Sequence, residues 1–138
     1  MAGIIWNFLH SLCEFIAGIL GLLFATVIFA VGAVLEFAVD VLNWLFGVED
    51  DVRQAGGTQV HVLDGSVFVE YIEIQKAQGN TVTMTIDQAK QMRNSVINVP
   101  TDDSGTVVRD PQMISGQKMS DATKAKFDGK PIISIQMK

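Results

Sequence analysis

The 138-residue chain is 49% hydrophobic and 18% charged, with a net charge of -5 and a mean hydropathy of +0.31, which leaves room for one small domain and little else. Two histidines and one cysteine exclude an internal disulfide and any metal cluster built from neighbouring His and Cys. Ten basic side chains against fifteen acidic ones, with no aromatic-interleaved basic patch, give no footprint for nucleic acid.

These averages conceal a split. All ten Lys and Arg residues lie at or after Arg53, whereas the first 48 residues hold three charges, Glu14, Glu36 and Asp40. From Phe15 to Leu35 there is no charge and no proline, and these 21 residues, at about 1.5 Å each, match the roughly 30 Å hydrocarbon core of a bilayer. The expectation is a single-pass transmembrane helix, retained in the mature chain because a basic leader region is missing. Its interfacial extensions run through residues 1–48, with Trp6 and Trp44 as interfacial anchors. A membrane hairpin would need turn chemistry, and only Gly18, Gly21 and Gly32 offer it, so one helix is preferred. The basic residues behind the span favour a cytoplasmic C-terminal part.

Asn7, Ser11, Glu14, Gly18, Gly21, Ala25, Ile28, Gly32, Glu36, Asp40 and Asn43 are spaced by three or four residues and would form one line on a straight helix. All but Ile28 are small or polar. Helices meet in lipid where small residues let backbones approach, so the stripe predicts a helix-packing face toward copies of the chain or other membrane proteins.

Beyond Val48 the character changes. Residues 49–57, from Glu49-Asp50-Asp51 to Gly56-Gly57, read as a linker, and residues 58–138 as a small α+β domain, so the fold class is a membrane-anchored α+β protein. Thr58 to Leu63 reads as a strand, Asp64-Gly65 as a type I′ turn and Ser66 to Ile74 as the hairpin partner. Thr81 to Ile86 reads as a half-buried strand. Asp87 is placed to cap a short helix ending near Asn94, and Val96 to Val99 forms a strand stopped by Pro100. Thr101 to Gln112 reads as a surface loop. Ser120 or Asp121 caps a helix to Phe127, Gly129 follows it, and Pro131 to Met137 is a final strand. Removing residues 1–50 is expected to leave a soluble fragment.

Little chemistry is offered. No phosphate-binding glycine loop, nucleophile elbow or zinc-protease motif occurs. His61 alternates with Val60 and Val62 and is expected to face solvent, while His10 lies near the polar stripe and Cys13 has no activating neighbour. The expected function is a non-catalytic, homo-oligomeric structural subunit with no cofactor and with the lipid bilayer as a partner. The alternative is a cation-conducting pore lined by rings of Glu14, Glu36 and Asp40. The layout of a hydrophobic N-terminal helix and a small β-rich head is similar to the type IV pilin plan, which implies only that such a chain can build an assembly.

Overall fold

A computed structural model of the protein describes residues 2–79 and 84–137, with the side chains of residues 2–6 and 31 excepted. The apolar N-terminal half is broken into short pieces. Helix α1 spans Ala2–Gly18 and helix α2 spans Leu20–Ala25, separated at Ile19, whose φ of -116° is not helical. Strand β1 (Ile28–Phe29) follows, then a 3-10 turn at Val31–Ala33 in which Gly32 and Ala33 adopt φ of 73° and 66°. Strand β2 (Val34–Leu35), a π-helical turn (Phe37–Val41) and helix α3 (Leu42–Gln54) complete this half. The break has a local cause. Thr26, Val27, Ile28, Val31 and Val34 are β-branched and lose rotamer freedom in a helix, and each of Gly18, Gly21 and Gly32 costs a helix about 1 kcal/mol relative to Ala.

Among the described residues no helix is long and apolar enough to cross a membrane. This overturns the membrane-anchored fold class and the single-pass localisation. The assignment of a cytoplasmic side loses the span it referred to, and the pilin likeness loses its long helix. Trp44 is no interfacial anchor either. It is buried, and its indole N–H donates to Gln112 Oε1 at 2.6 Å. The Trp6 side chain lies outside the described residues.

The second half contributes β3 (Gln59–Asp64), α4 (Gly65–Ala77), α5 (Ile86–Arg93), β4 (Ser95–Thr101), β5 (Gln112–Ser115), β6 (Lys118–Met119), α6 (Asp121–Phe127) and β7 (Ile132–Gln136). Five strands form one mixed sheet in the order β1-β5-β4-β3-β7, with only the β1–β5 pair parallel, while β2 and β6 make a separate parallel pair. Residues 28–35 are thus built into the strand system they were expected to anchor. Ala30 N–H donates to Ser115 O at 2.8 Å, Gln117 N–H to Ala33 O at 2.7 Å and Ser120 N–H to Leu35 O at 3.0 Å.

Helices cover both faces of the sheet. On one face Leu9, Leu12, Ile16 and Leu23 of α1 and α2 and Phe68, Val69 and Ile72 of α4 meet Leu63, Ile97, Val99 and Met113. On the other face Leu35, Phe37, Val41, Trp44 and Leu45 join Phe127 over Val60, Val62, Val96 and Ile114. The apolar N-terminal half therefore supplies core on two sides, and every residue of β4 is buried.

Several elements differ from expectation. Asp64-Gly65 is not a hairpin turn: Asp64 caps α4 by accepting the Ser66 N–H at 3.0 Å, and the segment expected as a second strand is helical. Phe68, Val69 and Ile72 share one helical face, so this short apolar run satisfied both periods and the cap decided between them. Thr85, rather than Asp87, caps α5 through a reciprocal box with Gln88. Residues 81–83 of the strand expected at Thr81 to Ile86 lie outside the described residues, and Ile86 opens α5. Pro100 stands inside β4 instead of ending it. The acidic run Glu49-Asp50-Asp51 lies within α3, with Glu49 bonded to Arg53 at 2.7 Å. Strands β3 and β7 and the Ser120-capped α6 fall where the sequence places them.

Candidate functional site

The register of β3 decides the surroundings of His61. Because both faces of the sheet are covered, the residue alternating with Val60 and Val62 is buried against α1 rather than exposed. Phe8 stands edge-on to the imidazole, with ring centroids 4.8 Å apart. Its Nδ1 lies 2.7 Å from the hydroxyl of Ser134, the directly opposed residue on edge strand β7. Nε2 is buried with no hydrogen-bond partner in the structure. Burial pushes the imidazole pKa below its usual value, so the ring is a neutral and weakened base. Ser134 is the imidazole's one hydrogen-bond partner among the described residues, so no third group fixes its tautomer as it would for a general base. Its geometry instead ties the exposed serine of β7 to the buried layer beneath.

One pH effect follows. The unfolded chain takes up a proton at His61 as pH falls through about 6.5, while the folded chain, with its pKa held lower, does not. Stability should therefore fall on acidification from pH 6.5 toward the lower folded pKa. Urea unfolding midpoints between pH 7.5 and pH 5 should fall, and His61→Gln should flatten that slope; an equal slope in the variant would refute the assignment.

A second feature is a groove of about 290 Å³ between α1 and α4. Leu9 and Cys13 on one side and Val67 and Ile74 on the other give it an apolar wall, with His10, Glu70 and Tyr71 at the rim. His10 Nε2 is 3.0 Å from Glu14 Oε1, and its ring is edge-on to Tyr71 at 5.5 Å. Burial raises the Cys13 thiol to about 12, so at neutral pH the sulfur is an uncharged part of the wall. The Tyr71 phenol is also raised, first by burial and then by the nearby negative charge of Glu14. No local sequence signal joined His10 to Tyr71, since the pair exists only through helix packing.

The expected polar stripe has a simpler geometry. Asn7, Ser11, Glu14 and Gly18 form the exposed side of α1, while Leu9, Leu12, Cys13 and Ile16 face the sheet. Gly21, Ala25, Gly32 and Asn43 are also exposed, and Glu36 and Asp40 half-buried, but they lie on separate elements. A methyl group added at Gly18, Gly21 or Gly32 would meet nothing within 4 Å beyond the adjoining residues and its own helix backbone. Glu14 lies on α1 and Asp40 in the π-helical turn, where its Oδ2 accepts the Glu36 N–H at 2.8 Å. Among the described residues Glu14, Glu36 and Asp40 share no straight helix.

The Asp102-Asp103 pair is a turn device. Asp102 accepts hydrogen bonds from Ser104 and Thr106, and these hold its carboxyl below the ordinary range. Asn98 on β4 is fully buried with neither amide atom hydrogen-bonded, and Gln112 across from it is engaged by Trp44. Among the described residues no group of His, Cys, Asp and Glu is placed to hold a metal ion. Comparison with protein-family models, with curated proteins and with solved structures gives no match to the chain.

Proposed function

We propose that the protein is a non-catalytic assembly subunit that joins a second copy of itself edge to edge through β7. The observation that carries this reading is the edge of that strand, uncharged and unpaired among the described residues. Strand β7 is hydrogen-bonded to β3 on one side and ends the sheet. The Met137 N–H donates to Thr58 O at 2.9 Å and the Asp64 N–H to Pro131 O at 3.1 Å, which fixes the phase of the ladder. The alternation of an antiparallel strand then turns the main-chain groups of Ile132, Ser134 and Gln136 outward.

Edges left open usually carry lysine, a bulge or an inward charge to prevent pairing, and Ile132–Gln136 carries no charge. A two-fold axis at Ser134 would set Ile132 of one copy opposite Gln136 of the other and make the contact self-complementary. At the far end of the sheet Ile28 and Phe29 are exposed apolar side chains on β1, and a contact there would extend pairs into a layer or filament.

Ser134→Pro and Gln136→Pro each remove an outward N–H without touching the β3 ladder. Sedimentation equilibrium of the full chain should show a dimer or larger species for the parent and a smaller species for both variants, with amide dispersion retained. A parent that stays monomeric at the highest workable concentration, or proline variants of unchanged mass, would overturn the reading.

A further inference from the structure

We propose that the groove between α1 and α4 is a binding site for a small organic cation, a primary ammonium carried on an aromatic or branched aliphatic body. The cavity of about 290 Å³ lies at the lower end of the roughly 300–1,000 Å³ typical of small-molecule sites, which suits a ligand smaller than a nucleotide. Its wall is apolar and uncharged, because Leu9, Val67 and Ile74 are aliphatic and Cys13 is a buried thiol. Such a wall shelters a hydrocarbon body from water.

The polar groups at the mouth select the charge. Glu70 is the one full charge among the described residues lining the groove, and Lys and Arg are absent from that lining. Glu14 stands one turn along α1 from His10 and is bonded to its imidazole at 3.0 Å. An anion would meet repulsion here, and a neutral body would gain nothing from Glu70, whose exposed carboxylate water already solvates. A cation gains from Glu70 and from the ring of Tyr71, whose face attracts positive charge at distances within about 6 Å. The lining includes His10 from α1 and Glu70 and Tyr71 from α4, with Glu14 bonded to His10 beside it.

The site is independent of the β7 edge, so it stands or falls without the assembly reading. The test is titration of the full-length protein with 2-phenylethylammonium chloride, followed by amide chemical shifts of α1 and α4, with sodium phenylacetate as the anion of similar shape. Saturable shifts centred on His10, Cys13 and Tyr71 are expected for the amine and none for phenylacetate. Glu70→Gln, a conservative change at an exposed position, should weaken the amine by about three- to tenfold, as a partly solvated ion pair allows. Val67→Phe should fill the groove and abolish binding, and Ile74→Trp serves the same purpose if the first variant fails to fold. Equal binding of phenylacetate, unchanged affinity in Glu70→Gln, or no saturable shift with the amine would each overturn the proposal.

Discussion

Deletion of residues 1–48 is expected to leave a chain that no longer folds. The apolar half contributes Leu9, Leu12, Cys13, Ile16 and Leu23 to the core on one face of the sheet. It contributes Leu35, Phe37, Val41, Trp44 and Leu45 to the other. Truncating one large buried side chain typically costs about 2–5 kcal/mol, and a small domain is stable by only about 5–15 kcal/mol in total. Removing ten such groups exceeds any plausible reserve. The fragment 49–138 should show collapsed amide dispersion and no cooperative urea transition. A cooperative transition would mean that the sheet is self-sufficient and would overturn this account of the core.

Replacing Gly65 should be the most damaging single change, at about 3 kcal/mol or more for Gly65→Ala. This glycine opens α4 where the helix start is pressed against the end of α5 and the start of β4. A Cβ there would collide with the Met92 carbonyl oxygen and lie 2.7 Å from Ser95 O. Both obstacles are backbone, so relief requires moving whole elements, and overpacking of this kind costs about 1–3 kcal/mol even where side chains can yield. The sequence reading also singled out Gly65, but for a turn needing a positive φ. Its φ is not positive, so the reason is steric, and alanine should be nearly as harmful as valine. Urea melts of both variants distinguish the two: a mild alanine and a severe valine would restore the turn explanation.

What was legible in the sequence was local. Ser120 before a polar-apolar helix, the alternation at β3 and the uncharged run of β7 each carry their signal within about ten residues. The N-terminal half was misread because hydropathy measures transfer out of water and does not say into what. A bilayer and the two faces of a sheet are equally satisfactory destinations for Phe15 to Leu35. The glycines and β-branched residues that break this stretch were visible, yet taken one at a time they did not outweigh its length. His61 was misplaced for a related reason, since strand alternation predicts a wet face only if one face is wet. The stripe of Asn7, Ser11 and Glu14 was a true amphipathic signal whose polar side faces away from the sheet. The groove could not be read at all, because Cys13 and Tyr71 meet only after α1 and α4 are packed.

Everything above depends on residues 28–37 being stitched to residues 115–123, and scalar couplings across hydrogen bonds measure that directly. In a uniformly labelled full-length sample, couplings are expected from the Ala30 amide nitrogen to the Ser115 carbonyl, from Gln117 to Ala33 and from Ser120 to Leu35, across bonds of 2.7–3.0 Å. Their detection beside the β3–β4 couplings would establish the interlocked core. If the β3–β4 couplings are present while these three are absent, and residues 15–35 instead show continuous helical i to i−4 couplings, the account is contradicted.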